Sequence, residues 1–238
     1  MNCRGTLVSI LICAASPVLA QGFPVVSDHY TSGSQLELFK PQSLGVTGGG
    51  SPRELVPISL SMIQDFEAWR TNAYNDSAMY CTIGYGHLLA KKPCEQSSVE
   101  LVAFVQPLAV SFGLDLLEKD TVRARLAIKG LVHVSLTDEQ FGALTSFVFN
   151  VGVGNFSNSS LLELINNGNY NGAAAQFGRW ILAKKVVQNG LITRRACERT
   201  LFNGDLSLAA NGRFTRSNCG SLGAAPGVQD LIDIEAGE

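Results

Sequence analysis

The chain has little of what would mark a metal, nucleic-acid or membrane protein. It contains three histidines, His29, His87 and His133, and they are widely spread. No CxxC occurs, so zinc-site spacing is missing, and neither a metal nor another cofactor is expected. Lys and Arg total 18 against 20 Asp and Glu, a formal net charge of −2, with no basic run. Gripping phosphates takes a surplus of cations, which excludes a general nucleic-acid binder. Beyond the first twenty residues no apolar run approaches the roughly 20 residues that span a bilayer, so no stable membrane anchor is expected. What is present is 46% hydrophobic and 16% charged residues, enough to bury one core. One globular domain with attached segments is the reading.

Arg4 precedes an apolar run from Thr6 to Ala15, and Val18, Leu19 and Ala20 form a small-residue cleavage pattern. Residues 1–20 are therefore read as a secretory signal peptide, with a secreted, extracellular or periplasmic destination. Removal of that segment takes Cys3 and Cys13 and leaves an even set, Cys81, Cys94, Cys197 and Cys219. Export permits disulfides. Three connectivities are open; the favoured pairs, Cys81 with Cys94 and Cys197 with Cys219, each close a short loop beside an element boundary.

Residues 21–53 are polar, lack a period and end in Gly48-Gly49-Gly50-Ser51-Pro52, which predicts an arm or linker. The domain is expected over 54–220, and the small, acidic stretch 221–238 as a frayed, flexible tail. Ile58, Leu60, Met62, Ile63 and Phe66 predict a buried helix face ending near Trp69, with Glu67 in its last turn. From Asn72 to Leu89 short β-favouring pieces are broken by Asn75-Asp76-Ser77 and by Gly84 and Gly86, the pattern of a small hairpin. Helical signals follow over Leu114–Leu131 and from Thr137 through Phe149, with Gln140 completing a capping box. A turn is expected at Asn150–Gly154, then helices from Ser159, over Asn171–Ala183 and over Thr193–Phe202. The fold class is α+β: a helix-plus-hairpin lobe, a larger helical lobe and a cleft between them.

Cleaving a glycosidic bond takes one carboxylic acid that donates a proton to the leaving oxygen and one carboxylate on the opposite sugar face. Glu67 at a helix end beside Phe66 and Trp69 suits the first role, and Asp76 in a polar turn the second. Thr82, on the returning strand, is placed to hold a water against Asp76. Singly, each is an ordinary helix, turn or strand residue. Jointly, E-x8-D-x5-T-I-G-Y-G-H arises by chance on the order of once in a hundred thousand chains of this length, which favours a functional pattern.

Glu67, Asp76, Thr82, Gly84, Gly86 and His87, so spaced, resemble the catalytic segment of the phage-type lysozymes, the endolysin family of glycoside hydrolases. LTDEQFGALTSFVFNVGVGNF, SSLLELINNGNYNGAAAQFGRW and GLITRRACERTLF are similar to helical-lobe signatures of that family. The resemblance covers about residues 56–205. It implies a lysozyme-like fold and a muramidase that cuts peptidoglycan between N-acetylmuramic acid and N-acetylglucosamine. Glu67 would be the general acid, Asp76 the base or stabiliser and Thr82 the water positioner. It further implies that Leu88, Phe149 and Asn150 line the sugar cleft, that Arg194 faces Glu67, and that His87 pairs structurally with Asp120. The partner is then a peptidoglycan strand threading an open cleft of a monomer.

Two positions depart from the family pattern. Many relatives carry glycine where this chain has Ala68 and Met79. Lys91–Pro107 is also an atypical connection between hairpin and long helix. A lytic transglycosylase and a catalytically silent peptidoglycan-binding module are the competing readings; possession of both Asp76 and Thr82 argues against the first.

Overall fold

The computed structural model describes residues 51–76, 79–223 and 227–238. The expected signal segment and the arm as far as residue 50 lie outside the described residues.

Helix α1 (Pro57–Glu67) opens on Pro57, whose missing N–H costs nothing in a first helical turn. Met62 and Ile63 anchor it in the core, and it stops where Ala68 takes a φ of 51°. A three-stranded antiparallel sheet follows, β1 (Arg70–Asn75), β2 (Cys81–Gly84) and β3 (His87–Ala90), in that order. Tyr74 opposes Thr82 across β1 and β2, and Ile83 opposes His87 across β2 and β3. Gly84 and Gly86 adopt φ of 68° and 82°, a region closed to most L residues, and so reverse the chain within three residues. That tight reversal turns the expected hairpin into three strands.

A disulfide joins Cys81 in β2 to Cys94. Beside it, Asn75 Oδ1 accepts the Cys94 N–H at 2.8 Å. The atypical connection is thereby tied to the end of β1 before it forms the short α2 (Ser98–Leu101).

The helical lobe holds α3 (Val110–Leu131), α4 (Asp138–Val151), α5 (Val153–Ser157), α6 (Ser160–Asn166), α7 (Tyr170–Gln176) and α8 (Asn189–Phe202). The Thr137–Gln140 capping box is present at the start of α4. The expected turn after Asn150 is narrower than the sequence suggests: Gly152 alone, at φ 88°, separates α4 from α5. The helix expected over Asn171–Ala183 is an α-helix only to Gln176, tightens into a 3-10 turn over Phe177–Arg179, and gives way after Trp180 to a hairpin, β4 (Leu182–Ala183) with β5 (Val186–Val187). Two tertiary contacts end it. Trp180 packs edge-on against Phe147 at 5.3 Å, and its carbonyl accepts Arg195 Nε at 3.0 Å instead of a helical N–H.

The core runs through Met62, Phe147, Phe156, Phe177, Trp180 and Leu201. Each such side chain contributes about 1.5–3 kcal/mol by burial. Within the stretch expected to fray, residues 227–238 pack against the helical lobe. Ile232 is 5% exposed and belongs to this core. Leu182 donates to the Ile232 carbonyl and accepts from the Ile234 N–H, so the segment lies alongside β4. Glu238 accepts both the N–H and the hydroxyl of Ser160 at 2.6 Å and pairs with Arg179. Acidic residues that read as solvated in the sequence find backbone donors and a guanidinium here. At the other boundary Arg53 lies over the Phe141 ring at 4.8 Å and donates to the Leu136 carbonyl, so the packed unit runs from about Arg53 to Glu238.

Candidate active site

Glu67 is the last residue of α1, and its side chain keeps 22% exposure. The sequence suggests an apolar wall of Phe66 and Trp69 around it. The fold provides a mixed one. Trp69 turns to Tyr85, with ring centroids 4.8 Å apart. Arg194 of α8 takes the place facing the carboxylate, Nη1 donating to Glu67 Oε1 at 2.7 Å. Its guanidinium also lies over the Phe66 ring at 5.4 Å. From the segment after α8, Arg216 covers the same ring at 4.5 Å and donates to Asp65 Oδ2 at 2.5 Å. A disulfide between Cys197 and Cys219 holds that segment to α8. The negative end of the α1 dipole favours these two cations where they stand.

Behind Arg194 lies a buried polar network. Its Nε donates to Glu198 Oε1 at 3.1 Å and its Nη2 to the Ser146 carbonyl at 3.2 Å. Ser146 Oγ donates to the same Glu198 oxygen at 2.6 Å. The other Glu198 oxygen accepts from Arg195, whose third nitrogen donates to Asn150 Oδ1. Burial pulls the Arg195 guanidinium below its ordinary value; Glu198 opposes that shift and Arg194 adds to it.

Asp76 sits in the turn between β1 and β2. Its Oδ1 accepts the Tyr80 N–H at 2.8 Å, and its backbone N–H reaches the Tyr80 carbonyl at 2.9 Å. This side-chain turn orients the carboxylate locally. Thr82 is buried, and its hydroxyl donates to the Tyr74 carbonyl at 3.2 Å. The Thr82 proton is thus committed to the strand, and its oxygen is left to accept from a water. Leu88 opposes Thr82 on β3 and is 37% exposed. Phe149 packs where α4 meets the α1 and α3 contacts. His87 Nδ1 meets Asp120 of α3 at 2.9 Å, which ties the sheet to the long helix. Among the described residues no group of three His, Cys, Asp or Glu side chains is arranged to hold a metal.

The family model for phage lysozyme matches residues 64–198, which span everything from Glu67 to Glu198. This chain belongs to the phage lysozyme family. Like its relatives, this chain has an α+β, lysozyme-like fold. The endolysin of Bacillus phage B103 is 38% identical over 146 residues, 60% of this chain and 51% of its own length. The chain thus spans about half of that relative. An endolysin of Acyrthosiphon pisum secondary endosymbiont phage 1 is 34% identical over 147 residues, with 93% of its length covered. Among solved structures, the muramidase domain of SpmX from Asticaccaulis excentricus superposes with a TM-score of 0.55 at 30% identity, over 63% of this chain and 97% of that one.

Sequence reasoning singles out Arg194 and passes over Ser146, Arg195 and Glu198. A signal was there. Two arginines followed by a glutamate on the next turn put three charges on one helix, and α8 buries all three.

Proposed function

We propose that this member of the phage lysozyme family is an exported muramidase that hydrolyses the β-1,4 bond between N-acetylmuramic acid and N-acetylglucosamine in peptidoglycan. Glu67 gives its proton to the glycosidic oxygen as the bond to the muramic acid C1 breaks. A water held between Asp76 and Thr82 attacks C1 from the opposite face, Asp76 taking its proton, and the anomeric configuration inverts. Arg194 orients the Glu67 carboxyl, while Leu88, Phe149 and Asn150 contact the sugars. His87 and Asp120 act structurally, holding the sheet against α3. This chemistry needs no cofactor.

The observation that carries the reading is Glu67 at the end of α1, held by the Arg194 guanidinium at 2.7 Å, inside the stretch matched by the family model. Two disulfides fit work outside the reducing cytosol. In this reading residues 1–20 direct export, the arm to residue 53 is a linker, and a monomer acts on the wall.

The test is incubation of the mature protein and its Glu67→Gln form with purified peptidoglycan, followed by mass spectrometry of the soluble muropeptides. Reducing muramic acid ends from the wild type alone are expected. A 1,6-anhydro ring on the products would instead identify a lytic transglycosylase. Retained binding without release by both forms would identify a silent glycan-binding module.

A further inference from the structure

Glu198 is fully buried, as is Arg195, and Arg194 nearly so. Such a cluster is a poor source of stability, because desolvating the charges offsets their attraction and well-packed apolar side chains often serve as well or better. Its arrangement is what stands out. On α8, Arg194 and Arg195 are successive residues and project to different sides of the helix, while Glu198 one turn later lies within reach of both.

All three nitrogens of each arginine are committed. Arg194 spans from Glu198 to Glu67, with Ser146 at its remaining nitrogen. Arg195 spans from Glu198 to Asn150, with the Trp180 carbonyl at its Nε. A guanidinium is a rigid planar fork, so fixing one edge fixes where the other edge points.

We infer that Glu198 is a positioning residue that sets the acid and the sugar-contacting asparagine together: one oxygen aims Arg194 at Glu67, and the other aims Arg195 at Asn150. The inference rests on the roles proposed above for Glu67 and Asn150. Glu198 itself touches no substrate. Its two arms act on different kinetic quantities. Misaiming Arg194 disturbs proton delivery and lowers kcat, whereas misaiming Arg195 loosens Asn150 and raises KM.

The experiment is steady-state kinetics on soluble, uncross-linked peptidoglycan strands, normalised to folded protein by near-UV circular dichroism. Glu198→Gln keeps the shape and removes the charge; kcat should fall about tenfold or more, the worth of one charge-assisted hydrogen bond, with a rise in KM. In an Arg194→Gln background the same change should cost no further kcat, and in an Asn150→Ala background no further rise in KM, because each arm is already cut. Ser146→Ala, a milder change that removes one donor to Glu198, should lower kcat by a few-fold and leave KM alone, and it tests the Arg194 arm if the glutamine variant does not fold. Wild-type kcat and KM per folded Glu198→Gln molecule, losses that multiply across the double variants, or an unaffected Ser146→Ala would overturn the inference. Glu67→Gln is run alongside. If it is inactive while Glu198→Gln behaves as wild type, only the positioning role falls; if it stays active, the reading of Glu67 falls and the inference with it.

Discussion

The Trp69 ring lies directly against the backbone of Gly113: a Cβ built on Gly113 would sit 2.2 Å from Trp69 Cζ3. Trp69 follows the end of α1 by two residues and precedes β1, so this contact seats the strand entry on α3. The glycine is required by space, since its backbone is ordinary helix.

Gly113→Ala should therefore force the indole away or strain α3. Helix propensity alone favours alanine by about 1 kcal/mol, but overpacking of this kind costs about 1–3 kcal/mol. Net destabilisation in urea or thermal unfolding is expected. An unchanged or raised midpoint would show that Trp69 repacks freely.

Ala68 and Met79 hold φ of 51° and 61°, conformations that L side chains rarely adopt. Glycine, which lacks a Cβ, would hold the same backbone at either place without that steric cost. Met79→Gly and Ala68→Gly should each raise stability by up to about 1 kcal/mol, the penalty relieved less glycine's extra chain entropy. Thermal unfolding of the two single variants checks this, and a fall in midpoint for both would contradict it.

Docking of the final segment should weaken in acid. Backbone N–H groups of Glu235 and Lys185 hold Asp233 below its ordinary value. For Glu238 burial pushes upward, but the Ser160 hydrogen bonds and Arg179 outweigh it and the net shift is downward. Carboxyls depressed in the folded state contribute stability that is full above their unfolded values and is lost as pH falls through the folded ones. Amide exchange in residues 230–238 should therefore accelerate relative to α4 as the pH drops below the usual carboxylate range. Glu238→Gln should remove much of that pH dependence. Acid-insensitive relative protection would contradict the assignment.

Much of the fold is legible in the chain because it rests on local rules. The α1 stripe, the Gly84 and Gly86 reversal and the Thr137–Gln140 box each need only neighbours in sequence. The site is partly legible for the same reason: Glu67, Asp76 and Thr82 lie within sixteen consecutive residues of one motif. The long-range partner Arg194 came from family resemblance, since nothing local links residues 67 and 194.

The sequence by itself determined most of the helical segments, the strand-rich stretch after α1, the family and the candidate pair of acids, because periodicity, turn chemistry and motif spacing are short-range. The tertiary structure alone decided three things. Trp180 leaves the helical path because Phe147 and Arg195 claim it from other helices. The acidic end docks because Ser160 and Arg179 supply donors from far along the chain. Glu198, which reads as one more charge on a helix, becomes a buried hub because α4 closes over it with Ser146. In each case the deciding free energy is desolvation matched by a partner distant in sequence, and a linear pattern does not contain that partner.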